Sequence, residues 1–202
     1  MPFQNLKLHI IHNATGGKKG EAFDFTNIFS EVLNRNITHE EAVILLTVLV
    51  PHILPNFLND VISSLNIDGG DLPQWGGIKH DKYRGILPTG ETVQFILAGS
   101  DIKKRAKIQQ YFSQEHWFSK SQTLMLETTQ EKLPKMSGQL FMPFEMVDLL
   151  LFGNVSLPKF SLQFLARLVN TKLEWKDLVL KKNTLEQIHQ IKLWLKHEKT
   201  LR

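Results

Sequence analysis

THEEAVILLTVLV, residues Thr38 to Val50, is the stretch that decides the fold. A threonine followed three residues later by Glu41 is the capping-box pattern of a helix start, in which the hydroxyl bonds forward to the backbone and the carboxylate bonds back. The residues after Glu41 are apolar on every face of a helix, not only on one, except for Thr47. The sequence therefore predicts a helix that begins after Thr38 and is fully buried, with other elements packed around it.

Apolar residues at helical spacing lie on both sides of this central helix. Upstream, the segment from Glu21 to Asn34 has a helical face that consists of Phe25, Ile28, Phe29 and Val32. Downstream, Pro51 and Pro55 interrupt the helix, and a third apolar face follows. That face consists of Phe57, Leu58, Val61, Ile62 and Leu65. We expect the chain up to Leu65 to be mostly helical after a short extended start.

The composition changes after Leu65. Six of the chain's 12 glycines lie between Gly69 and Gly90, in DGGDLPQWGGIKHDKYRGILPTGE. This predicts a loop much longer than the usual connection, and such loops are usually functional or disordered. Helical patterns follow at about 91–98 and 101–113, then TLMLE and QLFM as strands around a polar linker, then a helix opened by Pro143. Helices followed by a hairpin with a long loop are the order of a winged helix. The pattern over 153–170 favours no single element.

The bulk composition is that of an ordinary globular chain. The 202 residues are 42% hydrophobic and 22% charged, enough to bury one core or two small ones. No stretch reaches the roughly 18 uninterrupted apolar residues of a membrane span, and MPFQNLKLHI at the N-terminus lacks the layout of a secretion signal. Zero cysteines exclude disulfides and thiolate chemistry and fit a reducing compartment. We expect a cytoplasmic protein with no membrane partner.

The net charge of +4 lies entirely in the tail. The segment 171–202 holds eight basic and four acidic side chains, whereas the segment 1–170 holds 16 of each. A basic chain favours nucleic-acid binding only when the charge is clustered on a folded face. The main body is neutral, so nucleic acid is a disfavoured partner.

RGILPTGETVQF, residues 84–95, contains a near match to a phosphate-binding loop. From Gly85 it differs from G-x-x-x-x-G-K-[ST] only at Glu91, which replaces the lysine. A working loop follows a buried parallel strand, but residues 80–84 are polar, and Glu91 would repel phosphate by about 1 kcal/mol per charge pair even in high dielectric. A turn at Pro88 and Gly90 with a cap at Thr89 explains the same residues. We predict no nucleotide site here.

The C-terminal stretch LEWKDLVLKKNTLEQIHQIKLWLKHEKTLR, which begins at Leu173, has a distinct pattern. A turn-and-strand segment runs from Trp175 to Leu180, and Asn183 is a predicted N-cap with Glu186 three residues later. A helix follows with one apolar side. That side consists of Leu185, Ile188, Ile191 and Leu195.

This segment resembles the one that opens AAA-family ATPase modules, where a W-x-D-L-V-L stretch and its helix precede the first strand and the phosphate loop. The residues that carry the resemblance are Trp175, Asp177, Leu178, Val179, Leu180 and Trp194. The central RGILPTGETVQFILAGSD, especially residues 87–92 and 97–99, resembles the region before the ATPase module in one bacterial branch of that family. That branch includes ATPases encoded with phage-tail-like contractile injection systems.

The chain departs from the family where ATP would be handled. It has no lysine-containing phosphate loop, no apolar run ending in Asp-Glu to hold magnesium, and no arginine finger. It ends at Arg202, near the point where the nucleotide-binding strand is expected. We therefore expect an N-terminal part of a longer protein, with no catalytic, cofactor-binding or metal residues of its own. The resemblance implies that ATP and magnesium are bound by a motor module that follows and assembles into a ring.

Three residues of the glycine-rich loop are candidate partner contacts: Trp75, Tyr83 and Arg84. Aromatic and arginine side chains anchor interfaces, and ordered long loops often carry function. The alternative for Trp75 is that it fastens the loop onto the body of the domain, because an amphipathic aromatic ring suits either role.

The densest basic run outside the tail provides candidate nucleic-acid contacts for an alternative function. It consists of Lys103, Lys104, Arg105 and Lys107, and on a winged-helix face these could contact phosphates together with Lys132 and Lys135. Ile102, Ala106 and Phe112 are the predicted inner face of this helix, which leaves the cations as its solvated side. His9 and His12 form H-x-x-H without a third metal ligand.

The sequence thus predicts an α+β protein with a mainly helical N-terminal domain over residues 1–170, including a winged-helix-like part. A subdomain break is placed in the glycine-rich loop, residues 68–90. Residues 171–202 are predicted to be the linker and the first strand and helix of the ATPase module. The expected function is recruitment or positioning of a protein client for that motor, and the alternative is a winged-helix nucleic-acid binder.

Overall fold

A computed structural model of the chain describes residues 2–15, 23–65, 74–129, 132–155, 174, 177 and 179–201. The chain divides into two units, residues 1–156 and 157–202. The described residues form a mainly helical α+β structure with two small antiparallel sheets, both in the first unit. This confirms the predicted fold class.

The first unit begins with four helices: α1 (Pro2–Thr15), α2 (Asn27–Ser30), α3 (His39–Ile53) and α4 (Phe57–Ser64). A hairpin of β1 (Ile78–His80) and β2 (Tyr83–Leu87) follows, then α5 (Gly90–Ala98) and α6 (Ile102–Ile108) with a 3-10 turn at Gln109–Phe112. The remaining elements are α7 (Trp117–Lys120), β3 (Met125–Leu126), a 3-10 turn at Lys135–Ser137, β4 (Leu140–Phe141) and α8 (Phe144–Phe152). In the second unit the described helix is α9 (Lys182–Leu201).

Helix α3 is the centre of the core, as predicted. Thr38 Oγ1 accepts a hydrogen bond from the Glu41 amide at 3.2 Å, and the Glu41 carboxylate accepts one from the Thr38 amide at 2.8 Å. Every residue from Glu41 to Pro51 is buried. Helices α1, α4 and α5 and strand β2 all contact α3. A helix that is apolar all round needs neighbours on every face, and this one has them.

Two predictions for the N-terminal region are wrong. The expected extended start is helix α1, which buries Leu6 and Ile10 against the core. The predicted helix over 21–34 is reduced, within the described residues, to the single turn α2. Asp24 accepts bonds from the Thr26 amide and hydroxyl at 2.9 and 2.6 Å. Such local side-chain bonds compete with a helix, and Asn34, with a φ of 47°, leaves helical geometry at the other end.

Pro51 does not interrupt the central helix, contrary to the prediction. Helix α3 continues to Ile53, and the Leu54 amide bonds back to Val50 O at 2.8 Å. A proline removes one backbone hydrogen bond, and the burial of α3 on all sides outweighs that loss. The third apolar face is confirmed in α4, where Phe57, Leu58 and Val61 are buried.

The glycine-rich segment contains a hairpin that the sequence pattern did not predict. Strands β1 and β2 pair antiparallel, with Ile78 opposite Leu87 and His80 opposite Tyr83. The prediction of a loop throughout 68–90 is therefore wrong from Ile78 onward. The strands are short and mixed in polarity, and β2 lies against α4 and α3, so tertiary packing supplies the stability that local propensity lacks.

The two strands predicted from TLMLE and QLFM are confirmed as β3 and β4, with Met125 opposite Phe141. The two hairpins meet where β2 ends, because the Leu140 amide donates to Pro88 O at 2.9 Å and Thr89 pairs with Gln139. Helix α8 begins directly after Pro143, as predicted. The winged-helix arrangement of these parts stays a prediction.

In the second unit the predicted N-cap is misplaced, since α9 already includes Lys182 and Asn183 therefore lies inside it. The Glu174 amide bonds to the Asp177 carboxylate at 2.8 Å in a turn, and the described residues between 174 and 180 form no strand. Trp175, Leu178 and the Leu195 side chain lie outside the described part, as does most of the ambiguous 153–170 segment.

Among the described helices, none is by itself long and apolar enough to cross a membrane. Helices α3 and α4 together have the length and composition of a span, but the chain bends by 112° at their junction.

Candidate functional site

An open groove lies at the C-terminal end of α3, between the two hairpins and the start of α8. Its volume is about 580 Å³. One wall is the first hairpin, with His80, Tyr83 and Leu87; the other is β4 and the first residue of α8, with Phe141 and Phe144. Pro51 and His52 of α3 also line it. We call this surface the α3 groove. Ligand and peptide sites are typically concave and mostly apolar.

Tyr83 is fixed in the groove wall by the end of α3. Its hydroxyl donates to Pro51 O at 3.2 Å, and Pro55 O lies at 3.4 Å. The carbonyls of a helix's last turn have no partner within the helix, so the phenol completes the end of α3. Burial raises the pKa of Tyr83, which keeps the hydroxyl protonated and able to donate.

Gly85 makes this position of Tyr83 possible. A Cβ atom on Gly85 would lie 2.7 Å from Tyr83 Cε1 and would clash with Pro55 O. The tyrosine ring therefore lies directly across the glycine, against the turn between α3 and α4. This glycine, the first of the near match to a phosphate loop, is required by close packing.

The opposite wall presents aromatic rings to solvent. Phe144 is 77% exposed and Phe141 is 40% exposed. The His52 ring meets the Phe144 ring edge to face, with 6.5 Å between centroids. Burial lowers the pKa of His52, so the imidazole is neutral at pH 7 and adds to the apolar character of the groove.

The charged residues of the first hairpin are mainly cationic, and one of them lines the groove. Lys82 lines the groove, and Lys79 and Arg84 are exposed on the same hairpin, with Asp81 as the acidic residue of its turn. Within the part of the chain that the structure describes, neither Lys82 nor Arg84 forms an ion pair. Both side chains can therefore meet a partner's charge.

The structure separates the three predicted partner contacts. Tyr83 lines the groove and Arg84 is exposed on the same hairpin but does not line it, whereas Trp75 is only 1% exposed. The Trp75 ring packs at 5.2 Å, tilted by 63°, against Phe95 of α5. Trp75 therefore fastens the glycine-rich segment onto the body of the domain, the second of its two predicted roles. We correct its assignment as a partner contact for that reason.

The basic run on α6 is only partly as predicted. Lys103, Lys104 and Lys107 are exposed, whereas Arg105 turns back onto α5 and donates from Nη1 to Gly99 O at 2.7 Å. Its own carbonyl accepts a bond from Gln94 Nε2 at 2.9 Å. One N–H group of the Arg105 guanidinium is thus used within the fold, so this side chain is less free to reach a phosphate than the three lysines.

The predicted inner face of α6 is wrong for Ile102 and Ala106 and confirmed for Phe112. Ile102 is 81% exposed and Ala106 is exposed, while Ile108 is buried and Phe112 is partly buried. Asp101 caps the helix through the Lys104 amide at 3.1 Å. Helix α6 is short, so its few apolar residues do not determine which face packs against the domain. The Asp101 cap and the Arg105 contacts hold the helix in the observed orientation.

The near match to a phosphate loop is a helix cap. The strand before it belongs to an antiparallel hairpin. Thr89 Oγ1 accepts bonds from the Thr92 amide at 3.3 Å and the Gly77 amide at 3.1 Å. The Gly90 amide donates to Gly138 O at 3.2 Å, and a Cβ there would lie 2.7 Å from Met136 Cε. These groups are occupied by the protein itself, which confirms the predicted cap at Thr89. The predicted turn at Pro88 and Gly90 is wrong, because Thr89 is extended and Gly90 is the first residue of α5.

A polar cluster at the N-terminal end of α3 was not predicted. Glu41 Oε1 accepts bonds from Trp117 Nε1 at 2.6 Å and His116 Nε2 at 3.0 Å. Burial by itself raises the pKa of Glu41, but the hydrogen bonds from Thr38, Trp117 and His116 outweigh it and lower the pKa. Arg35 stacks over the Trp117 ring at 4.7 Å. The capping-box spacing identified Glu41 but contained no signal for partners so far along the chain.

The histidine in this cluster is neutral. Burial lowers the pKa of His116, as does nearby Arg35, against the opposing effect of Glu41. The Phe118 amide donates to Nδ1 at 3.3 Å, so the proton lies on Nε2 and is donated to Glu41. These bonds are internal and support the start of α3, and Arg35, His116 and Trp117 also line an open pocket of about 510 Å³.

His9 of the H-x-x-H pair is packed into the protein. Its ring lies 5.8 Å from Phe25 and 5.2 Å from His39, centroid to centroid. Burial, followed by the charges of His39 and His12, lowers the pKa of His9 to about 4. Among the described residues, no three His, Asp or Glu side chains are arranged to hold a metal ion.

No protein-family model matches the chain, and neither curated proteins nor solved structures give a match. The class that the structure itself defines is a mainly helical α+β domain with an apolar groove between two hairpins. The resemblance to the AAA family stays a prediction from the sequence.

Proposed function

We propose that residues 2–155 form a non-catalytic accessory domain that recruits a protein client, and that the α3 groove is the surface that docks it. The observation that carries this proposal is the wide exposure of Phe144 and Phe141 along the groove. Large aromatic side chains are the residue types that anchor protein interfaces, especially beside a pocket. Tyr83, which the sequence identified, forms the facing wall.

The second part of the proposal is that this domain serves an AAA-type motor. Support comes from the resemblance of residues 173–202 to the opening segment of such modules, and of residues 84–101 to the region before them. In that arrangement the groove holds the client while a following module, with ATP and magnesium, remodels it from within a ring. The accessory domain contributes binding and position.

Photo-crosslinking in living cells tests the docking surface. Benzoylphenylalanine replaces Phe144 in one variant and Ile102, which is equally exposed on α6, in the other. We expect a discrete crosslinked protein from position 144 only, and its loss when Phe141→Asp is added. The same pattern at both positions, or crosslinking that survives Phe141→Asp, would contradict the assignment of the groove.

Isothermal calorimetry tests whether the accessory domain itself binds ATP. We expect residues 1–202 to show no binding when titrated with ATP and magnesium. Tight, magnesium-dependent ATP binding by these residues would refute the proposal of a non-catalytic accessory domain.

One observation favours the alternative function: three lysines, at positions 103, 104 and 107, are exposed on one short helix. A nucleic-acid binder using them would release counterions, so its affinity would fall steeply with salt and with Lys→Gln changes. Because Arg105 is held by Gly99, we expect weak, salt-sensitive DNA binding that is negligible at physiological salt. Fluorescence anisotropy with a labelled duplex measures it.

A further inference from the structure

We propose that the occupant of the α3 groove is a short segment of another protein in which a bulky apolar side chain is flanked on one side by acidic residues. This inference rests on the proposed function and specifies the chemistry of the client. It is argued from the two walls of the groove, which differ in character.

The aromatic wall of the groove determines which kind of partner side chain binds in it. Phe144 and Phe141 are exposed beside the edge of the His52 ring, and Leu87 and Tyr83 close the groove from the other side. A bulky apolar side chain placed between them would remove aromatic surface on both sides from water, at about 25 cal/mol for each Å² buried. Polar or small side chains would leave these rings wet. The partner therefore needs at least one large apolar residue.

The cations of the first hairpin determine which charge the partner segment should have. Lys79, Lys82 and Arg84 outnumber the acidic residue of this hairpin, Asp81. Among the described residues no carboxylate lines the groove; on the other side, Glu145 and Asp148 lie on α8 beyond Phe144. A partner with acidic residues over the hairpin gains attraction from Lys82 and Arg84, and the reverse orientation would place those acids near Glu145. The charge thus also fixes the direction of the bound segment.

Charge excludes the protein's own tail as the occupant in a second copy. Helix α9 has exposed apolar residues, including Ile191 and Trp194. However, residues 182–201 contain four lysines against two glutamates. A cationic helix meeting a cationic hairpin is repelled, so the segment belongs to a different, acidic protein.

The test begins with a phage-displayed library of random dodecapeptides, selected on the full chain. We expect enriched sequences with Asp or Glu on one side of Phe, Leu or Trp. A fluorescein-labelled peptide of the most enriched sequence is then titrated by polarisation. Phe144→Ala should weaken it about tenfold or more, as loss of an interface anchor does, and Phe152→Ala, an exposed phenylalanine that does not line the groove, should not.

The charge step has its own matched pair. Lys82→Glu with Arg84→Glu should weaken the acidic peptide roughly fivefold to tenfold, whereas the same reversal at Lys103 and Lys104 should change affinity less than about twofold. Equal effects of the two double variants overturn the inference.

The outcomes separate the inference from the proposed function. Neutral or basic peptides that lose affinity in Phe144→Ala would overturn the acidic partner and leave the docking groove in place. Peptides whose affinity is unchanged in Phe144→Ala, or a library with no enriched sequence, would overturn both. Acidic, aromatic peptides that depend on Phe144 and on the two hairpin cations support both.

Discussion

The two ends of helix α3 differ in the side chains that surround them and in the hydrogen bonds that those side chains form. At the N-terminal end the Glu41 carboxylate is bonded to Thr38, Trp117 and His116 within the domain. At the C-terminal end Tyr83 occupies the carbonyl of Pro51, but the surface around it stays open and carries the exposed rings of the α3 groove. The cluster also borders an open surface, since Arg35, His116 and Trp117 line a pocket of about 510 Å³. The two ends of α3 therefore differ in chemistry, with polar groups bonded to each other at one end and exposed aromatic rings at the other.

This difference separates structure from function. A buried polar group with all its bonds made inside the protein contributes to stability, and removing it exposes a desolvation cost. An exposed aromatic ring contributes little to stability, because water still covers it. Changes at the N-terminal end should therefore alter folding, and changes on the groove surface should alter binding while folding is retained.

The largest effect is expected at Glu41. Glu41→Ala removes the acceptor for the Trp117 and His116 side chains and the Thr38 amide, so the free energy of unfolding should fall by roughly 3 kcal/mol. Urea denaturation measures it. Glu40→Ala, at the exposed neighbouring position in the same helical turn, is the control and should cost no more than about 0.5 kcal/mol. Equal losses would mean that the cluster adds nothing to an ordinary helix start.

A smaller loss is expected at the other end from Gly85→Ala. The new Cβ would press on the Tyr83 ring and Pro55 O, and overpacking of this kind costs about 2 kcal/mol. Gly153→Ala is a useful comparison, since its φ is 70° but no described atom lies near the added one, and its cost should be about 1 kcal/mol from strain alone. A Gly85→Ala protein as stable as the wild type would show that Tyr83 does not lie across the glycine.

Lowering the pH should reduce the free energy of unfolding in two ranges, one through His9 and one through Glu41. The lowered pKa of His9, about 4 against an ordinary 6.5, favours the neutral form in the folded state, so stability falls as the pH drops from 6.5 towards 4. The lowered pKa of Glu41 adds a second loss below its ordinary value of 4.5. Urea denaturation at a series of pH values measures both.

The variants His9→Gln and Glu41→Gln assign these two ranges. His9→Gln should reduce the slope of the upper range, to which His52 and His116 also contribute because their pKa values are lowered too. Glu41→Gln should reduce the slope of the lower range, to which Asp24 also contributes. A wild-type protein whose stability is constant from pH 7 to 4 would contradict the burial of His9.

The smallest change in stability is expected for Phe144→Ala. Because the ring is mostly exposed, the free energy of unfolding should stay within about 0.5 kcal/mol of the wild type, although the proposed peptide binding should weaken. Phe118→Ala, at a fully buried phenylalanine, should cost about 3–5 kcal/mol. A large loss for Phe144→Ala would mean that this ring supports the fold and is not a docking surface.

Much of the helical framework could be predicted because its signals are local. The Thr38 capping box, the apolar run after it and the Thr89 cap depend on residues three or four positions apart, and the structure has all three. The prediction that the near match to a phosphate loop is a helix cap also followed from local chemistry, since Glu91 and the polar residues before Gly85 fit no phosphate site. Of the candidate docking residues, Tyr83 and Arg84 were identified from residue type.

The remainder depended on contacts that spacing cannot show. From the sequence, Trp75 was equally suited to a surface or a core. Only its contact with Phe95 in the structure distinguishes the two. Arg105 looked like its exposed neighbours, and only the carbonyl of Gly99 turned it inward. The first hairpin was missed because its strands are short and polar and are stabilised by α4 and α3.

The sequence by itself determined where α3, α5 and α8 begin and that α3 must be buried, because helix caps, an N-terminal proline and an unbroken apolar run act within a few residues. Only the tertiary structure decided what lies at the two ends of α3. The partners there are 75 or 76 residues away for Glu41 and 32 for Tyr83. Which distant groups meet is set by the packing of whole elements, and that packing made one end a hydrogen-bonded polar cluster and the other an apolar groove.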